Sequence, residues 1–198
     1  GEMSKEDFFS MNKLLKYLII RDKRKNKEDI KPLYVIDNKI SSKKVFDKLN
    51  DVYPDTQLVL KLHYRTYDDT SLVYCIDTIR KLTSKLSENI FLILNNLSNR
   101  EILSLHSFCD CYVSLNKGEG FGLTIFDAYH HGNMVVTTGY SAPVEFLGKD
   151  YKGLVNYKLN KVSGMESFSN NYSSDQEWGY PDLDHAYELM KKCYDDKL

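Results

Sequence analysis

The stretch "NKGEGFGLTIFDAYHHG", residues 116–132, decides the fold. It gathers Gly118, Glu119, Gly120 and Gly122 into five positions and then runs into an apolar pattern of helical period that stops at Gly132. Just before it, "CYVSLN" (111–116) reads as a buried strand. A strand that hands over to a helix through a glycine-rich turn is the βα unit of a parallel sheet, and open sheets bind ligands at the carboxyl ends of such strands. Unpaired amides at the start of the helix favour an anion there. Gly118 permits a sharp turn out of the strand, while Gly120 and Gly122 let the backbone approach a phosphate with no Cβ between them.

Outward from this segment the same alternation repeats. Towards the N-terminus, "PLYVID" (32–37), "QLVLKLH" (57–63) and "NIFLILN" (89–95) read as strands. Between them "SSKKVFDKLNDVY" (41–53), opened by Ser41 or Ser42, and "TSLVYCIDTIRKLTSKL" (70–86) read as helices. "SNREILSLHSFC" (98–109) is a helix capped by Ser98 with Glu101 three places on, the capping-box spacing. Towards the C-terminus, "MVVTTG" (134–139) is a strand and "PDLDHAYELMKKCYDD" a final helix with Pro181 at its start. The expected fold class is α/β, a Rossmann-like parallel sheet with helices on both faces, spanning 32–198 as one domain. Residues 1–31 form an N-terminal arm, a helix over 4–20 and the basic turn "RDKRKNKED". Gly1 and Glu2, ahead of Met3, are set aside as an expression remnant.

Composition sets the function classes. The 198 residues suit one domain, and 42% hydrophobic content can form a core. With 27 Lys and Arg against 28 Asp and Glu, the net charge of -1 supplies no general field for nucleic acid or an anionic membrane. Any anion must be held by local groups. Cys75, Cys109, Cys111 and Cys193 show no CxxC spacing, so reduced thiols in a cytoplasmic setting are expected, and no run reaches the length of a transmembrane segment. Cys109 and Cys111, on one face of a strand edge, read as core and not as metal ligands. His130 and His131, before the helix-ending glycine, suit the negative end of the helix dipole.

Glu119 is an anion inside a phosphate-like loop, so its carboxylate must point past the phosphate towards something neutral with hydroxyls, such as a sugar. Asp127 lies eight positions later, about two helical turns on, where a second carboxylate could accept hydrogen bonds from a ribose. The segment resembles the donor site of family 4 glycosyltransferases, retaining enzymes of the GT-B fold whose hallmark is Glu, seven residues, Glu; Asp127 stands here in place of the second Glu. The resemblance extends over "DCYVSLNKGEGFGLTIFDAYHHGNMVVTTGYSAPVEF", "LVNYKL" and "EWGYPDLDHAYELM", in order, so that residues 32–192 resemble the second, donor-binding half of such enzymes.

What the resemblance implies is a nucleoside diphosphate sugar, UDP- or GDP-linked, as substrate, with no cofactor and no metal. Glu119 would meet the donor sugar hydroxyls, Phe121, Gly122 and Leu123 would offer amides to the diphosphate alongside Gly118, Gly120 and Thr124, and Asp127 would hold the ribose at one methylene less reach. A cationic pair normally assists the diphosphate. Lys61 with Arg65 is the first choice, and Lys43 with Lys44 the second. The base would lie against Asn96, Leu97 and Ser98. Tyr64, Tyr67 and Tyr140 could line a sugar pocket or cover surface. The implied activity is hexosyl transfer to an acceptor held by a further domain, in the same full-length chain or a separate subunit; the alternatives are an inactive nucleotide-sugar-binding module and the donor subunit of a two-chain enzyme. The apolar stripe Leu183, Ala186, Tyr187, Leu189, Met190 and Cys193 of the last helix needs cover, which the resemblance would assign in part to the acceptor half.

Overall fold

A computed structural model describes residues 33–37, 39–61, 90–93, 97–162 and 175–195. The N-terminal arm, the helix expected over 70–86, and Tyr64, Arg65, Tyr67, Cys75 and Asn96 lie outside the described residues. Six parallel strands make the main sheet: β1 (Leu33–Asp37), β2 (Gln57–Lys61), β3 (Ile90–Ile93), β4 (Cys111–Ser114), β5 (Met134–Thr138) and β6 (Leu154–Val155), in the order β3-β2-β1-β4-β5-β6. The helices are α1 (Lys39–Val52), α2 (Asn99–Phe108), α3 (Leu123–His130), α4 (Pro143–Leu147) and α5 (Leu183–Tyr194). A separate antiparallel hairpin pairs β7 (Tyr157–Lys161) with β8 (Glu177–Pro181).

Alternation along the strands sends side chains to two covered faces, as a parallel sheet requires. On one face, Leu58, Leu60, Cys111, Val113 and Val136 pack with Val45, Phe46 and Leu49 of α1 and with Ala186, Leu189, Met190 and Cys193 of α5. On the other, Val59, Ile93, Tyr112 and Val135 pack with Leu105 of α2, Ile125 and Ala128 of α3 and Leu147 of α4. Each fully buried large apolar side chain stabilises the fold by about 1.5–3 kcal/mol relative to exposure. The Rossmann-like sheet with helices on both faces is thus what the chain forms.

Several local expectations are corrected. α1 begins at Lys39, so Ser41 and Ser42 sit inside it and not at its start. Pro181 closes β8, and Asp182 caps α5 by accepting from the Asp184 and His185 amides at 3.0 and 3.1 Å. Cys109 and Cys111 do not share a face: Cys109 joins the α3 side and Cys111 the α5 side, where its Sγ lies 3.4 Å from that of Cys193 and burial pushes its thiol well up. Of the stripe on α5, Ala186, Leu189, Met190 and Cys193 are buried within this chain, while Leu183 and Tyr187 are half-buried at its edge. Tyr194 stacks on Tyr53 at 4.3 Å and donates to Asp55, which holds the end of α5 against the α1–β2 turn.

At the outer strands, a glycine makes the close approach possible. A Cβ on Gly153 would overlap the Val135 carbonyl. The Val135 amide instead donates to the Tyr151 hydroxyl at 2.9 Å, and burial pushes that phenol up to about 12. Replacing Tyr151 by Phe leaves the amide unpaired and should destabilise the protein by about 1–2 kcal/mol in a denaturant titration. Because the folded phenol holds its proton more tightly than the unfolded one, the wild type should also lose stability between pH 10 and about 12 by a margin that Tyr151→Phe lacks.

Candidate functional site

The sheet reverses direction between β1 and β4. From β1 the chain proceeds outward to β2 through α1 on one face, and from β4 outward to β5 through α3 on the other. The crevice at their carboxyl ends is the switch point where such sheets take ligands, and residues 115–122 form one wall of it.

Within that wall, Gly122 is the hinge. It is the N-cap of α3 with φ 83 and ψ 51, a left-handed conformation that disfavours any Cβ, and its carbonyl accepts the Phe126 amide at 3.0 Å to start the helix. A Cβ there would also press on Ile125 Cδ1 at 3.2 Å. Gly118 and Gly120 have no left-handed φ, so the sharp turn expected at Gly118 is made at Gly122 instead. No side chain caps α3, whereas Ser98 caps α2 and Asp182 caps α5. α4 likewise has no side-chain cap, but α3 is the helix that starts at the switch point, and a helix start without a capping side chain suits an anion.

The loop is clamped from behind. Ser141, itself at φ 63, accepts the Glu119 amide at 2.8 Å and donates to the Glu119 carbonyl at 3.0 Å. Gly179 of β8 donates to the Lys117 carbonyl at 2.8 Å, and only glycine fits there because a Cβ would meet the Tyr140 ring at 2.7 Å. The half-buried Glu119 carboxylate receives the Asn116 side-chain amide. On the outer side Phe121, Phe126 and Phe146 form an aromatic cluster with centroids 5.4–5.5 Å apart. Asn116, Ser141 and Lys117 were missed as site residues in the sequence reading. Asn116 could have been found from its spacing to Glu119, but Ser141 acts across 22 positions and carries no local signal.

Asp127 is half-buried in α3 and near enough to His106 of α2 to favour that ring's protonated form. Burial outweighs it and lowers the His106 pKa, with His131 adding to the lowering and Asn133 opposing it. His130 and His131 each engage a carbonyl of the last turn, those of Phe126 and Asp127, at 3.0 and 2.8 Å. The Ser114 hydroxyl at the end of β4 is fully buried with no partner among the described residues.

The cations are less convergent. Lys61 ends β2 on the same sheet face as α3 and at the same end as the loop, two strands from β4, about 10 Å at ordinary strand spacing. Lys43 and Lys44 lie in α1 over the opposite face, and Lys44 is exposed. After β3, the Ser98 amide and hydroxyl both engage Glu101 and its carbonyl accepts the Ile102 amide, so these groups take part in the α2 cap. Leu97 is half-buried against the α3-side core. Among the described residues no group of three or more His, Cys, Asp or Glu could hold a metal ion, and no helix is long and apolar enough to cross a membrane.

No protein-family model matches the chain, and no curated protein matches it. Solved structures do. The UDP-forming alpha,alpha-trehalose-phosphate synthase of Burkholderia xenovorans superposes with a TM-score of 0.55 at 13% identity over 82% of this chain and 36% of that one. The enzyme of the same description from Burkholderia vietnamiensis gives 0.57 at 10% identity, over 84% and 37%. The fold is the Rossmann-like one of GT-B glycosyltransferases. This chain spans about a third of the length of these two structures.

Two substitutions separate the roles of the loop glycines. Gly122→Ala should cost about 1–2 kcal/mol of stability from its left-handed backbone, while Gly120→Ala, whose Cβ would meet nothing within 4 Å, should stay within about 0.5 kcal/mol in the same denaturant titration. Asp127→Asn should lower the His106 pKa further in a ring-proton NMR titration; an unchanged value would mean that Asp127 does not face that ring.

Proposed function

We propose that the chain binds a nucleoside diphosphate sugar in the crevice between β1 and β4 and acts as the donor half of a retaining glycosyltransferase that moves a hexosyl group. The observation that carries this reading is the uncapped start of α3, turned out of β4 by a left-handed glycine, with the Glu119 carboxylate held beside it. A diphosphate suits the amides of Phe121, Gly122 and Leu123, with Gly118, Gly120 and Thr124 close by. The carboxylate would be repelled by phosphate and suits the hydroxyls of the attached sugar.

Breaking the bond from the anomeric carbon to phosphate builds negative charge on the leaving diphosphate. Fixed amides and a cation stabilise that charge, which is the large electrostatic term such a site can supply. Lys61 is on the right face for this role, with Arg65 as its proposed companion. Glu119 orients the sugar and is not asked to move a proton. Asp127 is proposed for the ribose. The base is assigned to backbone groups near Asn96 and Leu97, without Ser98. The reaction as proposed needs no metal and no cofactor beyond the UDP- or GDP-linked donor, and it takes place in the cytoplasm.

An acceptor-binding domain must complete the cleft, either elsewhere in the same full-length chain or as a separate subunit. Calorimetry with UDP, GDP and their sugars tests the donor reading. Gly120→Val, which fills only open space in the protein, should weaken nucleoside diphosphate binding at least tenfold, roughly 1.4 kcal/mol, with stability unchanged. Glu119→Ala should leave nucleoside diphosphate affinity near wild type and erase discrimination among donor sugars. Collapse of nucleotide affinity in a folded Glu119→Ala protein would place Glu119 at the phosphate and contradict its assignment.

A further inference from the structure

The geometry points to a second ligand surface beside the glycine-rich loop: the face of the β7–β8 hairpin that carries Trp178 and Tyr180 binds a saccharide bearing an anionic group, as the acceptor. The assignment to the acceptor rests on the donor reading above; the existence of the surface does not.

Trp178 and Tyr180 are two positions apart on β8 and share one face, and their register partners on β7 are Asn160 and Lys158. Lys158 and Asn160 are exposed, and the two aromatic rings are half-buried. Lys117, which directly precedes Gly118 in the loop, reaches the same face: its Nζ lies 4.2 Å from the centroid of the Tyr180 ring and 5.5 Å from that of Trp178. The backbone bond from Gly179 to the Lys117 carbonyl makes loop and hairpin one unit. A Cβ on Gly118 would sit 4.0 Å from Trp178 Cδ1, so the indole begins where the loop backbone ends. The platform therefore adjoins the segment that holds Glu119.

On the other face of the hairpin Gly179 lies under Tyr140 and Tyr157 stacks on Tyr140 at 5.1 Å, while Leu159 is exposed. Glu177 and its partner Lys161 also fall on that side, and Asp182, just beyond β8, is occupied in capping α5. The charges that the described residues present on the Trp178 face are those of Lys117 and Lys158. Aromatic rings take the apolar faces of a pyranose, and two ammonium groups beside them favour a phosphate or carboxylate on that ring.

Trp178 is the one tryptophan of the chain, so its fluorescence reports this surface directly. The experiment titrates mannose 6-phosphate, glucuronate and neutral mannose, each with and without saturating UDP. Both anionic probes, or one of them, should give a saturable change that persists with UDP bound, with mannose about tenfold weaker. The stronger of the two identifies the anionic group as phosphate or carboxylate. Lys158→Gln, outside the loop, should reduce the advantage over mannose and leave UDP affinity unchanged. Equal responses to mannose and the anionic probes, or no saturable response to any, would overturn the proposal. So would displacement of the sugar signal by UDP, which would make the platform a base-stacking surface. Failure of UDP to bind, with the anionic response intact, would refute the donor reading and leave the saccharide surface standing.

Discussion

The left-handed backbone at Gly122 is the constraint on which the site depends. It turns the chain from the end of β4 into α3 without an N-cap side chain, and the same turn fits the residue tightly between Ile125 and Pro143. A Ser or Asp at this position would satisfy the first-turn amides internally, as Ser98 and Asp182 do on α2 and α5. Glycine supplies no such side-chain cap. Because β4 is the strand at which the sheet reverses its order, the start of α3 lies at the switch point between β1 and β4.

Around this hinge the structure fixes the loop from three directions. Ser141 binds both backbone groups of Glu119 from the segment after β5, Gly179 holds Lys117 from the hairpin, and Asn116 fixes the Glu119 carboxylate from within the loop. Such clamping reduces the ordering needed when a ligand arrives. On the opposite face, α5 closes the core against α1 and seals the sheet, which makes it part of this unit's own stability.

Much of this was legible in the sequence. The hydrophobic period changes mark the strands at 57, 111 and 134 to within a residue or so, and the Ser98–Glu101 spacing gives a capping box that the coordinates contain. The role of Gly122 was only half legible, because a run of three glycines does not say which one takes the positive φ; packing against Ile125 and Pro143 decides that. The hairpin was not visible as such, since the apolar-polar alternation of β7 runs over only Tyr157 to Asn160 and the strand is exposed along its whole length, with no core face to mark it. Its clamp on the loop is a contact between residues 117 and 179, which no local pattern encodes. The α5 stripe was legible as apolar, but whether it meets its own sheet or another domain is a question of tertiary packing.

The central claim, that the amides at the start of α3 receive a diphosphate, is tested most directly by amide chemical shifts in a nitrogen-15 labelled sample titrated with UDP and with GDP. The largest changes should fall on Phe121, Gly122 and Leu123 at the head of α3, with smaller ones at the end of β2, and they should saturate together. Saturable binding that leaves those three amides unmoved, with the changes gathered on another part of the molecule, would contradict the account.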